Sequence, residues 1–259
     1  MPQPDSKPDP GWLTARWQQP RVASLMSTRA GGCSPAPWDS LNLGIAVNDD
    51  AQRVAHNRAL FQQALGAAPV FMKQVHGTRV LRLTHADRAQ PTPEADACVT
   101  TERGLACTVQ VADCLPILFA APGAVGAAHA GWRGLAAGVA EATLRSVCEA
   151  AGCEPAQVQC WLGACIGPES FEVGADVLEG FGVEPALADP LRFKPLRPGT
   201  LRPQKWLANL PLLARDRLAA AGVIAVGGGA WCTVQDRSRF FSFRRDGVTG
   251  RMAAAVWLV

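Results

Sequence analysis

The stretch that decides the fold of this 259-residue chain is ACTVQVADCLPILFAAPGAVGAAHAGWRG, from Ala106 to Gly134. It contains three apolar runs of the length expected for buried strands, namely Ala106–Val111, Ile117–Ala120 and Ala124–His129. Only short, turn-forming segments separate these runs. Gly134 then marks the predicted start of a helix over Leu135–Ala151. The stretch therefore predicts a group of strands followed directly by a helix.

Similar patterns on both sides extend this group into a larger fold. Further strands are predicted at Val22–Thr28, Val70–Gln74, Arg79–Leu83, Ala97–Thr101, Gln157–Gly163, Val223–Val226, Phe240–Phe243 and Ala253–Val259. Further helices are predicted over Ala51–Leu65, capped by Asn48-Asp49-Asp50, and over Lys205–Ala220. Pro211 lies inside the second of these and predicts a kink, or a later start near Asn209. Because strands outnumber helices and do not alternate with them, the pattern predicts an α+β fold rather than a doubly wound one.

Proline-rich segments mark the regions that lie outside this pattern. Residues 1–20 are expected to form a disordered tail, since the start of the chain is rich in proline and lacks the apolar core of a signal peptide. Residues 21–259 are then expected to form a single catalytic domain. Within it, Glu184–Gln204 is dense in proline and is predicted to be a long surface loop or lid.

Composition narrows the classes of partner. The chain has 25 basic and 22 acidic residues and no basic block, so neither nucleic acid nor a membrane is indicated as a partner. No apolar run approaches the roughly 18 to 20 residues of a membrane span. Nine cysteines, an odd number without a secretion signal, indicate free thiols and a cytoplasmic location. The group Cys148, Cys153, Cys160 and Cys165 lacks the close Cys-x-x-Cys pairs of a structural zinc site.

One thiol and two imidazoles stand at turn-forming positions. Cys114 lies between two of the central runs, His129 ends the last of them, and His76 ends an earlier predicted strand. Side chains at strand ends tend to converge on clefts. One Cys and two His ligands form a zinc site with a fourth position open to water or substrate, which predicts an enzyme. The remaining histidines, His56 and His85, are expected to be exposed.

Substrate contacts are predicted around these three residues. Arg133 lies next to the predicted helix start, where backbone N–H groups and a guanidinium together could bind an anion. The alternative for Arg133 is an ion pair with a neighbouring carboxylate. Asn42, Gln74 and Arg244 are further candidates for contacts in the same cleft. Spacing leaves open the alternative that Asn42 and Arg244 are ordinary turn and surface residues.

These motifs resemble those of the YfiH-like family, also called the laccase-domain or polyphenol-oxidase family. The resemblance runs in order from about Val22 to the end of the chain and rests on Gln74–Gly77, Ala112–Pro116, His129–Gly134, Gly163–Pro168, Phe171–Gly174, Phe240–Arg245 and Thr249–Arg251. It implies an α+β fold of mixed sheets flanked by helices, and a zinc site at His76, Cys114 and His129. One departure is Asn209, since members often carry Asp at this position.

The resemblance implies several alternative activities. A multicopper phenol oxidase needs a blue copper site and a separate copper cluster, for which four histidines are too few. Copper is therefore expected only as an adventitious metal. Phosphorolysis of purine nucleosides such as adenosine, inosine and methylthioadenosine fits an open zinc site beside an anion site. The same zinc could activate water for adenosine deamination. We expect a zinc-dependent purine nucleoside phosphorylase, with nucleoside and phosphate as its small-molecule partners.

A cysteine hydrolase that edits peptidoglycan precursors is the main alternative. Cys114 would then be a thiolate nucleophile, His129 or His76 its base, and Asp113 an orienting or electrostatic group. The two interpretations compete for the same atoms, because a thiolate and an imidazole bound to zinc cannot also act as nucleophile and base. Metal content therefore separates them. A non-enzymatic zinc protein would need a fourth ligand, and none stands at a suitable spacing.

Overall fold

A computed structural model describes residues 11–88, 93–196 and 204–259. Its strands are β1 (Val22–Met26), β2 (Ala68–Val70), β3 (Val80–Arg82), β4 (Ala97–Thr100), β5 (Leu105–Val111), β6 (Leu115–Ala121), β7 (Ala124–Ala130), β8 (Gln159–Leu162), β9 (Glu172–Val173), β10 (Phe193–Pro195), β11 (Trp206–Ala208), β12 (Ala225–Gly228) and β13 (Met252–Leu258). Its helices are α1 (Ala51–Leu65), α2 (Trp132–Ala137), α3 (Val139–Ala151), α4 (Ala175–Gly180), α5 (Leu210–Ala220) and α6 (Phe243–Asp246). Within these three described ranges, none of the helices has the length and apolarity needed to cross a membrane.

Two mixed sheets pack face to face at the centre of the molecule. One has six strands in the order β12–β8–β6–β7–β4–β3, and the other has four in the order β1–β13–β5–β2. Leu118 and Val125 of the larger sheet pack with Val109 and Val256 of the smaller one. Helices α3 and α5 cover the outer face of the six-stranded sheet, and α1 covers that of the four-stranded sheet. This arrangement of sheets flanked by helices confirms the α+β prediction.

A tight hairpin joins β6 to β7 and sets the geometry of the centre of the larger sheet. The two strands pair up to their facing ends, so that the loop consists only of Pro122 and Gly123. Gly123 has a φ of 79°, which glycine adopts without steric cost. The antiparallel register that starts at this turn pairs Pro116 with His129. His129 therefore lies across from the start of β6, close to Cys114.

The helix predicted over Leu135–Ala151 differs from the observed one at its start and in its middle. It begins earlier, at Trp132, because Gly131 has the extended backbone of an N-cap. It also breaks at Gly138, whose φ of 99° ends α2 and begins α3. A left-handed glycine is a common helix terminator. The prediction of one helix starting at Leu135 was therefore wrong, although its C-terminal end is confirmed.

The helix predicted over Lys205–Ala220 begins at Leu210, after the short strand β11. The expected later start near Asn209 is therefore confirmed. The Asn209 side chain caps α5 by accepting a hydrogen bond from the N–H of Leu212 at 3.1 Å. Pro211 stands in the first turn, where its missing N–H is not needed. Because Asn and Asp are equivalent N-caps, the departure from the family at this position keeps the capping function.

The strand predicted over Phe240–Phe243 was wrong. Phe240 and Phe241 are fully buried, and they pack in the core without pairing in a strand. Ser242 then caps α6 by accepting a hydrogen bond from the N–H of Arg245. The aromatic run has the composition of a strand, but the burial of its rings comes from tertiary packing.

Residues 11–20 belong to the folded part of the chain. Leu13 exchanges two backbone hydrogen bonds with Met26, of 2.9 and 2.8 Å. The indole of Trp17 donates to the hydroxyl of Ser24 at 2.9 Å. These contacts correct the prediction of a disordered tail that ends at residue 20. Residues 1–10 lie outside the described residues.

The segment predicted as a long loop, Glu184–Gln204, contains regular structure. Strand β10 lies within it and pairs antiparallel with β11, which in turn pairs with β9. A 3₁₀ turn over Pro185–Leu187 precedes this strand. The loop prediction was therefore wrong for these residues, and residues 197–203 lie outside the described part of the segment.

Candidate metal centre

Three side chains of types that bind metals converge at the open end of the β6–β7 hairpin. The ligand atoms of His76, Cys114 and His129 all lie within 4.8 Å of one another. Cys114 Sγ lies 3.7 Å from His76 Nε2. In a tetrahedral zinc site with ordinary bond lengths, a sulfur and a nitrogen ligand lie about 3.6 Å apart. The separation of these atoms therefore suits zinc, and the described residues contain no other such cluster of three or more ligands.

A strained turn positions the thiol. Asp113, directly before Cys114, has a φ of 97°, which is uncommon for a residue with a side chain. The Asp113 carboxylate stabilises this turn by accepting hydrogen bonds from the Thr233 hydroxyl and the backbone N–H of Arg244, both at 2.6 Å. Asp113 therefore holds the loop of Cys114. Of the two roles predicted for Asp113, orienting an imidazole was wrong, because its hydrogen bonds are directed to other groups, and an electrostatic role stays a prediction.

A buried carboxylate connects the two histidines. Asp96 lies directly before β4 and is fully buried. Its Oδ1 accepts hydrogen bonds from Nδ1 of His129 and from the backbone N–H of His76, both at 2.8 Å. Its Oδ2 accepts from the backbone N–H groups of Val75 and Gly77, at 3.1 and 2.7 Å. Asp96 thus orients the ring of one ligand and holds the backbone of the other.

This contact also selects the tautomer of His129. An ionised Asp96 accepts the proton on Nδ1, which leaves the lone pair of Nε2 free for a metal. Carboxylate partners of this kind are the usual second contact of metal-binding histidines. The arrangement therefore has the two layers expected of a metal site, ligands and the group that orients them.

The sequence predicted that His76 ends a strand. In the structure His76 lies in a loop instead. Strand β2 stops at Val70, and His76 itself has a φ of 62°. This left-handed conformation is disfavoured for a residue with a side chain. The three consecutive N–H groups bonded to Asp96 compensate for it, because they are satisfied only while the loop keeps this shape.

Sequence reasoning missed Asp96. The available signal was an acidic residue directly before the apolar run Ala97–Thr101. The role of this residue depends on the pairing of β4 with β7, which places Asp96 across from His129. That pairing joins segments about thirty residues apart, and the pattern of apolar residues does not specify it.

Gly131 leaves the space that a bound ion requires. A Cβ atom added there would lie 3.0 Å from Cys114 Sγ, 2.8 Å from His76 Cδ2 and 3.5 Å from His76 Nε2. Any other residue would therefore press against the ligand atoms. One soft thiolate and two imidazoles form a donor set that zinc prefers. The residues present thus fit a zinc ion.

Electrostatic coupling favours the ionised thiol. Burial raises the pKa of Cys114, but the charge and hydrogen bonds of His129, followed by those of His76, outweigh it and lower the pKa to about 6. Burial lowers the pKa of His129, whereas Cys114 and Asp96 raise it to about 9. In the metal-free protein the two groups therefore form a thiolate–imidazolium pair between about pH 6 and 9. A thiolate is also the form that binds metal.

Two predicted substrate residues have structural contacts instead. Asn42 is fully buried, and its amide bonds to both backbone groups of Gly44, to Asp49 and to the backbone N–H of Arg251. These four bonds use the whole amide, so the prediction that Asn42 contacts substrate was wrong. Gln74 exchanges two hydrogen bonds with the backbone of Gln110, of 2.8 and 2.7 Å, and so attaches the loop of His76 to β5.

Both predicted arginines follow the three residues of the cluster in sequence. Arg244 is exposed, and its Nη1 donates to the Glu172 carbonyl at 2.8 Å. Its backbone bond to Asp113 places it next to the turn of Cys114. Arg133 is exposed on α2 with its guanidinium 4.4 Å from the ring centre of Trp132. Substrate contacts by both arginines stay predictions.

The helix after Gly131 gives only weak support to the predicted anion site. Helix α2 has six residues, and the dipole of so short a helix is small. The alternative interpretation of Arg133, an ion pair, was wrong, because no carboxylate of the described residues lies within 4.0 Å of its guanidinium. His56 and His85 are exposed, which confirms the expectation for both, and His85 pairs with Glu102 at 3.2 Å.

The sequence from residue 23 to 259 matches the model of a family described as multi-copper polyphenol oxidoreductase laccase. The chain belongs to this family. The purine nucleoside phosphorylase YfiH of Escherichia coli K12 is 43% identical over 252 residues, which cover 95% of this chain and 98% of the relative. A purine nucleoside phosphorylase of Pseudomonas aeruginosa is 45% identical over 250 residues, with the same coverage.

Solved structures of family members have the same fold. A crystal structure of a Neisseria meningitidis protein of the DUF152 family aligns with a TM-score of 0.84 at 42% identity, and covers 96% of this chain and 99% of the other. The structure of YlmD from Geobacillus stearothermophilus aligns with a TM-score of 0.86 at 31% identity, and covers 97% of both chains.

The ligands present do not fit the multi-copper part of the family's description. The sequence has four histidines, and His56 and His85 are exposed away from the cluster of His76 and His129. A blue copper site together with a copper cluster needs several more imidazoles than two. The cluster therefore suits one metal ion with an open position.

Replacing Asp96 tests how the centre is held together. In Asp96→Asn an amide must replace a carboxylate that accepts four hydrogen bonds, so the ring of His129 and the loop of His76 lose their common anchor. We expect zinc affinity to fall by about 10- to 100-fold, measured by competition with a chelator.

The matched control for this variant is Asp50→Asn, at the exposed N-cap of α1. Asn and Asp cap helices equally well, so this variant should bind zinc like the wild type. Wild-type zinc affinity in Asp96→Asn would contradict the role assigned to the carboxylate.

The reactivity of Cys114 in metal-free protein tests the ion pair. Its thiolate should persist down to about pH 6, whereas a free cysteine loses its charge below about pH 8.5. Alkylation by iodoacetamide, followed at Cys114 by mass spectrometry, should therefore have its midpoint near pH 6 and shift upward in His129→Gln. An ordinary midpoint in both proteins would rule out the pair.

Proposed function

We propose that this chain is a zinc-dependent purine nucleoside phosphorylase. The convergence of His76, Cys114 and His129 on one point, with Asp96 behind them, is the observation that carries the proposal. Relatives that share 38–45% of their residues with this chain over nearly its full length are purine nucleoside phosphorylases. Together these two facts favour a metal-assisted reaction on a purine nucleoside.

The reaction would join phosphate to ribose and release the base. A phosphate oxygen forms a bond to ribose C1′, the bond from C1′ to the purine nitrogen breaks, and its electron pair leaves with the base, which gains a proton. The products are a free purine and ribose 1-phosphate. Zinc held by His76, Cys114 and His129 would supply Lewis acidity at the position that these three ligands leave open.

The chain's own residues would keep this centre in place. Asp96 holds the His129 ring and the His76 loop, and Asp113 holds the turn of Cys114. Preorganisation of this kind lowers the cost of reaching the transition state. Adenosine deamination at the same centre is a second proposed activity, since a zinc site with an open position also suits that hydrolytic chemistry.

A cysteine hydrolase is the second candidate, and one observation favours it. Asp96, His129 and Cys114 form a series in which a carboxylate orients an imidazole next to a thiolate of lowered pKa. His76 argues against it, because a nucleophile and its base do not require a second imidazole 3.7 Å from the sulfur. The strained backbone of His76 is better explained by a ligand role.

Product analysis tests the proposal. Protein with one zinc per chain is incubated with adenosine or inosine, with and without phosphate, and the products are identified by mass spectrometry. We expect free purine and ribose 1-phosphate only when phosphate is present, and inosine from adenosine if deamination also occurs. Cys114→Ser should lose both zinc and activity, because the site loses its sulfur ligand.

Two outcomes would contradict the proposal. The absence of both products from protein confirmed to hold zinc would exclude purine nucleosides as substrates. Full activity of protein stripped of metal would exclude the role of zinc and favour Cys114 as a nucleophile. A control variant that removes a buried thiol outside the cluster, Cys160→Ala on β8, should keep both zinc and activity.

A further inference from the structure

Two half-buried arginines have no anionic partner among the described residues. Arg58 extends from α1, and Arg251 stands directly before β13. No carboxylate of the described residues lies within 4.0 Å of either guanidinium. Burial lowers the pKa of Arg58 to about 10 and also lowers that of Arg251. Cations withdrawn from water in this way are normally paired.

Both side chains are anchored at one end and leave the rest of the guanidinium unused. Arg58 donates from Nε to the Leu43 carbonyl at 2.9 Å and lies 3.9 Å from the ring centre of Phe71. Arg251 donates from Nη1 to the carbonyls of Thr249 and Gly250, both at 3.1 Å. Within the described residues, both Nη atoms of Arg58 and the Nε and Nη2 atoms of Arg251 have no acceptor.

The two arginines contact the same short segment, residues 43–44. Leu43 accepts from Arg58 through its carbonyl and donates from its N–H to the carbonyl of Arg251 at 3.0 Å. Gly44 packs beneath the Arg251 side chain so closely that a Cβ there would lie 2.7 Å from Arg251 Cγ. Both arginines thus contact residues 43–44, and only glycine fits at position 44.

This segment is connected to the metal ligands. The Leu43 carbonyl also accepts from the Gln110 side chain at 2.5 Å. The backbone of Gln110 is bonded to the side chain of Gln74, two residues before His76. From the other side, the negative charges of Cys114 and Asp113 act on the guanidinium of Arg251. The arginine pair therefore belongs to the same region as the zinc ligands.

We propose that Arg58 and Arg251 bind the phosphate dianion that attacks the nucleoside. Four free guanidinium nitrogens suit the several acceptor oxygens of a phosphate group, which arginine binds through paired hydrogen bonds. The identity of the anion as the attacking phosphate rests on the proposed phosphorolysis, whereas the anion site itself rests on the geometry. This assignment replaces Arg133, which is exposed, as the principal phosphate contact.

Calorimetric titration of zinc-loaded protein with inorganic phosphate tests the pair without requiring turnover. Arg58→Met and Arg251→Met should each weaken phosphate binding by about 10- to 100-fold, because each removes charge-assisted hydrogen bonds. The KM for phosphate should rise correspondingly, while the KM for nucleoside stays at the wild-type value. Arg53→Met is the matched control, since Arg53 is exposed on the same helix as Arg58.

Lysine variants separate a loss of phosphate binding from a loss of folding. Arg58→Lys and Arg251→Lys keep the charge but lose the planar fork, so phosphate binding should fall between that of the wild type and that of the methionine variants. Zinc content and melting temperature identify any variant that is misfolded. Wild-type phosphate affinity in folded variants of both arginines would overturn the proposal. The same conclusion follows if Arg133→Met alone weakens phosphate binding.

A second titrant identifies the source of the phosphate group. If adenosine 5′-monophosphate binds through the pair and inorganic phosphate does not, the site serves a nucleotide and the assignment to the attacking phosphate is overturned. If phosphate binds through the pair but product analysis finds no phosphorolysis, the anion site stands and the proposed reaction fails. If phosphorolysis occurs and the pair variants bind phosphate normally, only the arginine assignment fails.

Discussion

The carboxylate of Asp96 accepts four hydrogen bonds, and through them it joins the strand of His129 to the loop of His76. One bond fixes the ring of His129 at the centre of the six-stranded sheet, and the other three fix the loop of His76. Full burial makes these bonds strong and makes their loss costly, because an unpaired carboxylate cannot reach water. The positions of both histidines therefore depend on this one carboxylate.

The interactions that lower the pKa of Cys114 are compatible with both roles considered for its thiol, metal ligand and nucleophile. Two imidazoles stabilise the Cys114 thiolate, and Asp96 favours the charged form of one of them, His129, whether the thiolate binds a metal or attacks a carbonyl. The second imidazole distinguishes the two interpretations, because His76 adopts a disfavoured backbone to lie beside the sulfur. The unpaired arginines add a further argument, since a phosphate-dependent reaction requires an anion site and a hydrolase does not.

Local patterns predicted a large part of the fold and the ligands. The apolar runs in residues 106–134 became β5, β6 and β7, and the Pro122-Gly123 turn fixes the register that brings Cys114 close to His129. Histidines beside glycine turns then stood out in a chain with only four.

Features that depend on distant pairing could not be read from the sequence. The role of Asp96 in orienting His129 follows from the pairing of β4 with β7. The proposed phosphate site at Arg58 and Arg251 follows from their common contact with Leu43, which lies about 208 residues before Arg251. Asn42 was predicted to face the same cleft, yet all the hydrogen-bonding groups of its amide are bonded inside the fold. The roles of these residues depend on how far their side chains are buried and on what they contact, and both follow only from the whole fold.

X-ray absorption at the zinc edge tests the central claim most directly. Protein loaded with one zinc per chain should show one sulfur neighbour at about 2.3 Å and nitrogen or oxygen neighbours at about 2.0 to 2.1 Å. In Cys114→Ser, the zinc that excess metal forces into the site should show no sulfur neighbour. In Asp96→Asn loaded with excess zinc the sulfur signal should persist, but with greater disorder among the nitrogen neighbours, since their orienting group is gone. A wild-type spectrum with no sulfur neighbour would contradict the metal centre described here.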